Sequence, residues 1–370
     1  MNARVCILTT VHRATDTRIY AHEAAALADA GYSTVLVAPW QDDVLLGHGV
    51  EYVPIRRIRS RSVRLVRSAF GMARLAKKQA ADVYHIHDSE LLLVGNLLAR
   101  AGFLVIYDVH EDLPAQILGK SWIPPALRRP LSCVADKLEL RLSRRLSGIV
   151  VATPAIARRF QNPVIVGNYP DLDRFPTGSG EIAPQGGSDV FFVGGITRAR
   201  GAEIMIRAMG HLPRELDATL HLVGRMEPES FLEELQAIRG AERVRFVGEL
   251  PWSRAWEQAV NSQGIGLLLY QPRPNHTEAL PTKLFEYMAA SMPVIASNFP
   301  LWQEIVLKHE CGLVVNPTDP LAVAHAIRAL LADGALRRKM GANGRQAIER
   351  EYNWGIERMK LLDLYGRIVS

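Results

Sequence analysis

Cysteine is scarce in this 370-residue chain: Cys6, Cys133 and Cys311 stand far apart. Three thiols so spaced cannot build a disulfide framework, and an odd count points to a reducing compartment, so a cytosolic location is expected. With 28 Gly and 21 Pro the composition excludes a collagen-like fibre. Apolar stretches such as Leu91–Ala99 and Gly264–Tyr270 fall well short of the ~20 residues needed to cross a bilayer. The opening MNARVCILTTV is too short in its apolar part for a secretory signal. Nucleotide-binding signatures are missing too. The first strand-to-helix turn reads TTVHRATDTR, without G-x-G-x-x-G, and no G-x-x-x-x-G-K-[ST] occurs, which removes the main support for a dinucleotide oxidoreductase or a P-loop NTPase. No Cys/His cluster has zinc spacing.

Acidic residues are absent between Glu51 and Asp82, while Arg56, Arg57, Arg59, Arg61, Arg64, Arg67, Arg74, Lys77 and Lys78 fall there. The first 170 residues carry 22 Lys+Arg against 14 Asp+Glu, and the rest carry 22 against 24. At 100° per residue Arg64, Arg67, Arg74 and Lys78 share one helix side, opposite Val66, Ala69, Phe70, Ala73 and Ala76. Such a basic amphipathic helix lies on an anionic membrane surface, binds a polyanion, or is an ordinary solvated face. Nucleic acid is not expected, because no aromatic residues interleave with the cations.

What is present is 48% hydrophobic and 22% charged residues, a composition that buries a sizeable core, and at roughly 150 residues per domain the length predicts two domains. Apolar β-branched runs alternate with helical patterns, which predicts parallel α/β architecture. Strands are expected at Val5–Thr9, Thr34–Ala38, Val83–Ile86, Leu104–Tyr107, Ile149–Ala152 and Val164–Val166, then at Val190–Val193, Thr219–Val223, Val244–Val247, Ile265–Tyr270, Val294–Ala296 and Leu313–Val315. Helices are expected near 19–30, 62–79, 89–100 and 126–146, and from Asp319-Pro320. Two doubly wound Rossmann-like sheets facing each other across a cleft, joined near Gly167-Asn168-Tyr169-Pro170, are the inferred fold. Asp171-Leu172-Asp173 reads as turn chemistry rather than a metal-holding D-x-D.

Two segments carry chemistry. In FFVGGITRARG, Gly194 and Gly195 let an anion approach the backbone, the following helix N-terminus favours phosphate, and Arg198 and Arg200 can add charge-assisted bonds. A plain strand-to-helix turn with exposed arginines fits the same letters. In NHTEALPTKLFEYM, Glu278 lies in a loop and Glu286 eight positions on, on the helix begun by Pro281 or Thr282. Lys283 falls in its first turn, where the helix dipole disfavours a cation unless an anion is bound.

Taken with DTRIYAHEAAALADAGY, DVYHIHDSELLLVGNLL, YDVHEDLPAQIL, LPTKLFEYMAASMPVIASNFPLW and the tail EYNW, these blocks resemble the family-4 GT-B glycosyltransferases, especially those of bacterial capsular and surface polysaccharide clusters. The resemblance covers nearly the whole chain. It implies an acceptor-binding domain over 1–168, a donor-binding domain over 169–352, and a C-terminal helix, 353–370, crossing back onto the first. It implies retaining, metal-independent transfer of a hexose-type sugar from a nucleotide diphosphate donor, UDP rather than GDP, to a glycan, lipid-linked or small-molecule hydroxyl, with no cofactor. Arg200, Lys283 and Glu286 would hold the diphosphate and ribose, and Glu278 the donor sugar. His110 would lie near the transferred sugar, with Asp16, Arg18, His22, His87 and Asp88 lining the acceptor cleft; Asp16 and Arg18 could equally be a local ion pair. The family's arginine after the glycine is Gly195 here, so Arg198 would substitute, and Ser291 replaces a family glycine. A nucleotide-sugar 2-epimerase and a non-catalytic nucleotide-sugar-binding subunit are the alternatives. The basic 56–78 stretch would place the protein peripherally on the inner membrane face.

Overall fold

The computed structural model describes residues 3–42, 44–56, 71–120, 122–175 and 189–369. Two compact units divide the chain: Met1–Asn168 with Trp354–Ser370, and Tyr169–Asn353.

In the first unit the strands are β1 Arg4–Leu8, β2 Ser33–Pro39, β3 Glu51–Ile55, β4 Val83–Ile86, β5 Leu104–Val109, β6 Gly148–Val151 and β7 Val164–Ile165, in the order β3-β2-β1-β4-β5-β6-β7. In the second they are β8 Asp189–Val193, β9 Thr219–Val223, β10 Val244–Gly248, β11 Ile265–Leu268, β12 Val294–Ser297 and β13 Gly312–Val315, in the order β10-β9-β8-β11-β12-β13. Every pairing among these strands is parallel. Parallel sheets are covered on both faces, so their strands read as unbroken apolar runs, and the central β1 and β4 are buried almost throughout. This is the α/β fold read from the sequence.

β3 escaped that reading. It is an edge strand whose residues are only partly covered, and Pro54, which cannot donate to a ladder, sits on it. Tyr52 and Pro54 break the apolar run that marks the inner strands.

Each sheet changes its direction of growth once, between β1 and β4 and between β8 and β11. Crevices open outside the carboxyl ends of strands at such switch points, which is where ligands of open α/β sheets bind. The C-terminal helix Trp354–Val369 belongs to the first unit. There Leu361, Leu364 and Tyr365 join the core around Val5, Ile7, Val83 and Ile106, and Trp354 stacks on His22 at 4.4 Å. The Gly167 N–H donates to Glu357 Oε2 at 2.7 Å, tying the end of the first segment to this helix.

Of the basic stretch, Arg57, Arg59, Arg61, Arg64 and Arg67 lie outside the described residues. Among the described helical residues from Gly71 onward, Ala73 and Ala76 are buried while Arg74, Lys77 and Lys78 are exposed. Among the described residues no helix is long and apolar enough to cross a membrane. Asp171 caps a single turn, its Oδ1 accepting from the Asp173 N–H at 3.2 Å.

Ser291 stands at φ +56°, just past the helix Thr282–Ala289. An L residue in this left-handed region carries about 1–2 kcal/mol of strain, which explains why glycine suits the position. Ser291→Gly is expected to raise unfolding stability by about 0.5–1 kcal/mol, the relief being partly offset by glycine's greater unfolded-state entropy. Urea denaturation checks this, and a destabilised variant would contradict it.

Candidate functional site

At the β1–β4 switch point of the first unit lies a pocket of about 240 Å³. His12, His87, Asp88, Glu90, His110 and Glu111 line it. His110 follows β5 and is partly exposed; its Nε2 lies 3.2 Å from His12 Nε2 and its Nδ1 3.6 Å from Asp108 Oδ1. Asp88 accepts from the Thr9 and Thr10 hydroxyls at 3.0 and 3.1 Å and from the Thr10 N–H at 2.5 Å, which holds the turn after β1 against the turn after β4. Burial pulls the His12 imidazole down, but Asp16, Asp88 and Glu111 together outweigh it and hold its pKa above the ordinary value.

Beneath the pocket, Arg18, Glu23, His85, His87 and Asp108 are all buried. The Arg18 Nε and Nη2 lie 2.9 and 2.8 Å from Asp108 Oδ2, its Nη1 donates to the Val166 carbonyl at 3.0 Å, and Glu23 Oε1 is 3.2 Å from Nε. An α-helix would set Arg18 and Glu23 about 140° apart. Thr17–Ala24 is wound instead as a π-helix, with bonds reaching five residues back, and both side chains reach one buried face. His85 Nδ1 meets the Tyr365 hydroxyl at 2.9 Å, and His87 Nε2 lies 3.4 Å from Glu23 Oε2.

The expected placement of Arg18 in an acceptor cleft, or in a pair with Asp16, is therefore corrected. Its guanidinium is drawn under the pocket by Asp108, while Asp16 Oδ1 caps the helix by accepting from the Arg18 and Ile19 N–H groups. His22 stacks on Trp354 rather than facing the pocket. His87 reaches both the pocket and the buried group. Glu23, His85 and Asp108 are functional candidates that the motif reading passed over. A signal was available: H-x-H and D-x-H place His85 with His87, and Asp108 with His110, on the same face of adjacent strands.

Ligand atoms of Glu23, His85, His87 and Asp108 come within 4.8 Å of one another, the arrangement of a metal site. Arg18 already supplies the cation there, 2.8 Å from Asp108. Charge then balances without an ion. Burial opposes ionisation of Asp108, yet Arg18 holds its carboxyl well below the usual range, while burial and the Asp108 charge push Glu23 well above it. Burial also lowers His85 to about 4 and His87 well below its ordinary value. Below the ordinary histidine value of about 6.5 the two histidines bind protons more readily when unfolded, and above the ordinary carboxylate value Glu23 binds one more readily when folded. The histidines make stability fall as pH drops through this window, and Glu23 opposes them. Glu23→Gln removes the opposing proton, so its unfolding free energy is expected to fall more steeply with acidification, by up to about 1.4 kcal/mol extra per pH unit. Urea titrations of both proteins at pH 4.8 and 6.3 check this; equal slopes would reject the protonated Glu23.

The second unit has its own cluster at the β8–β11 switch point. Gly194 follows β8 at φ +144°, where a side-chain β-carbon would sit 3.5 Å from Lys283 Cε and 3.7 Å from Arg200 Nη1. Two cations thus converge on one glycine. Arg200 is held by its Nη1 bond to the Gly195 carbonyl at 3.3 Å and lies over the Tyr270 ring. Gly201, at φ +82°, opens the helix Ala202–Met209 so close to β11 that a β-carbon would fall 2.0 Å from the Leu269 carbonyl oxygen. Lys283, in the first turn of Thr282–Ala289, is offset by Glu286 one turn on, with Nζ 2.6 Å from Oε2. The other Glu286 oxygen accepts from the Trp252 indole at 3.0 Å. Tyr287 fastens this helix to β8: its hydroxyl accepts from the Val193 N–H at 3.0 Å and donates to the Phe191 carbonyl at 3.2 Å.

Gly194, Gly195, Arg200, Lys283 and Glu286 are thus brought together. Glu278 is exposed in the loop ahead of the helix. Arg198 is not part of the cluster: its two terminal nitrogens are taken by Glu203 and Glu234, and its guanidinium lies 4.5 Å from the Phe231 ring. Trp256 and Tyr270 border Lys283 and Arg200, Trp252 bonds Glu286, and none of the three was anticipated.

Residues 17–167 match the profile described as "Glycosyl transferase 4-like domain", and residues 180–347 the profile "Glycosyl transferases group 1". The chain is 27% identical over 184 residues to a D-inositol 3-phosphate glycosyltransferase of Xylanimonas cellulosilytica, covering 48% of this chain and 42% of that protein. It is 26% identical over 231 residues to a phosphatidyl-myo-inositol mannosyltransferase of Mycobacterium leprae, covering 60% and 59%. The match thus spans about half the length of these relatives. In fold it is similar to a sucrose-phosphate synthase from Thermosynechococcus elongatus, with a TM-score of 0.78, 21% identity and coverage of 100% and 99%. It is similar likewise to Anabaena HepE in complex with UDP, with a TM-score of 0.75, 14% identity and coverage of 99% and 100%. With two Rossmann-like sheets and both halves matched, the chain belongs to the family-4 glycosyltransferases of GT-B fold.

Proposed function

We propose that this protein moves a hexose-type sugar from a nucleotide diphosphate donor to a hydroxyl acceptor, with retention at the anomeric carbon and without a metal or cofactor. The observation that carries the reading is the approach of Arg200 and Lys283 to one glycine turn, with Glu286 fixed one helical turn beyond. A diphosphate seated there meets two cations and two helix N-termini, which together offset its charge. Glu286, oriented by Trp252, is free to bind ribose hydroxyls with the lone pairs it does not spend on Lys283 and the indole. UDP is the expected nucleotide, the one held in the HepE complex.

In the transfer, the bond between the anomeric carbon and the β-phosphate oxygen breaks and the bond to the acceptor oxygen forms on the same face. The acceptor proton passes to the departing phosphate, so no enzymatic nucleophile is required. Negative charge grows on the β-phosphate as it leaves, and stabilising that charge is the task of Arg200, Lys283 and the helix ends. Glu278 orients the donor sugar. His110, in the pocket of the first unit, holds an acceptor or sugar hydroxyl with its exposed edge, and Asp108 fixes its ring from behind.

Lys283→Ala is expected to lower turnover by about 10²–10³-fold, the cost of removing one donor from a charge-stabilising site, while the fold persists. Donor consumption followed by proton NMR with and without acceptor reads this, and near-normal turnover would overturn the assignment. Acceptor-free conversion of the donor to its 2-epimer would identify an epimerase instead. Activity is also expected to survive excess chelator, and strict dependence on a divalent cation would reject the cation-clamp reading.

A further inference from the structure

The first unit carries a second cavity that neither the motifs nor the transferase reading uses. It is a groove of about 390 Å³ between the helices Leu113–Gly119 and Pro125–Ser143 and the helix Leu92–Arg100. Its wall is almost entirely apolar, with Leu93, Ile117, Trp122, Leu131, Val134 and Leu138 among its residues. Several are unusually exposed for their type: Trp122 is 73% exposed, Val134 63% and Leu138 52%. Isolated exposed apolar residues need no explanation, but a contiguous set marks a binding surface.

Three observations identify the occupant. The groove runs into the histidine pocket, since Ser89, Glu90 and Leu113 line both. A polar pocket opening into an apolar channel fits one molecule with a polar head and an apolar tail. Along Pro125–Ser143, Leu127, Leu131, Val134 and Leu138 fall within about 60° of arc, and Lys137, Arg141 and Arg144 occupy the adjoining sector. These three cations are exposed. A second copy of the chain seated on this face by two-fold symmetry would bring like-charged borders together. The cavity volume lies at the low end of the ~300–1,000 Å³ of small-molecule sites, which suits a chain rather than a protein element.

We propose that this groove takes the hydrocarbon tail of an amphiphilic acceptor whose hydroxyl-bearing head occupies the histidine pocket. The inference rests on the transferase reading and specifies its acceptor class as lipid-linked. The apolar walls bind the chain by removing its surface from water, and the pocket presents the head group to His110.

The test uses the full-length protein and alkyl β-glucosides of six, eight and ten carbons, below their micelle concentrations. Calorimetry is expected to show affinity rising about tenfold for each two-carbon step, as burial of methylenes requires. Val134→Asp and Leu131→Asp are expected to flatten the series while leaving UDP affinity unchanged. Affinity independent of chain length, or an equal series in the variants, would overturn the proposal. A flat series would do so equally if anionic vesicles bind and Val134→Asp abolishes that binding, which would make the face a bilayer contact. Self-association lost in Val134→Asp, again with a flat series, would make it a subunit contact. Loss of UDP binding by the unaltered protein would refute the transferase reading instead, and the alkyl series would still decide the groove.

Discussion

The first unit is organised around one buried charge. Arg18 is enclosed in the interior, and a guanidinium there requires partners for every face it presents. Asp108 supplies the counter-charge, the Val166 carbonyl a neutral acceptor, and Glu23 a second carboxyl whose pKa burial and Asp108 hold well above the ordinary value. These contacts join the N-terminal helix, β5 and the end of β7 at a single point. His85 extends the group to Tyr365 on the C-terminal helix, so that the last segment of the chain is locked to the same centre. Asp108 in turn sits behind His110, linking the internal charge to the wall of the pocket. Removing one member of such a buried pair leaves the other uncompensated, at about 3–5 kcal/mol, so the geometry is over-determined.

The second unit uses charge in the opposite way. Lys283 and Arg200 remain partly accessible at the end of a parallel sheet, one balanced by Glu286 and the other leaning on a carbonyl and an aromatic face. These cations are only partly neutralised and partly accessible, whereas Arg18 of the first unit is buried against Asp108 and Glu23. Arg198 shows how narrow the distinction is. Two residues from Arg200 and exposed, it is neutralised by Glu203 and Glu234 and contributes to local order instead.

Much of the fold was legible because a parallel sheet covered on both faces demands continuous apolar runs, and the interruptions between those runs demand helices. The edge strand β3 was not legible, since an uncovered strand bearing Pro54 carries no such pattern. That Gly194, Gly195 and Arg200 gather at one turn was legible from their spacing, and the structure brings Arg200 against both glycines. Lys283 and Glu286 were legible together through their spacing on one helix. Arg198 was misplaced because its acidic partners lie five and 36 positions away, and only folding brings the second near.

The linear chain by itself determined two runs of alternating strands and helices, the position of the glycine turn, and the placing of Lys283 and Glu286 one turn apart on one helix. Each follows from periodicity or from the chemistry of a residue and its near neighbours. Tertiary structure alone decided that Arg18 turns inward to Asp108, that Glu23 joins it through a widened helix, and that an apolar groove opens beside the histidine pocket. Those outcomes depend on groups up to 148 positions apart, as Arg18 and Val166 are, and electrostatics and packing act on distance in space, not along the sequence.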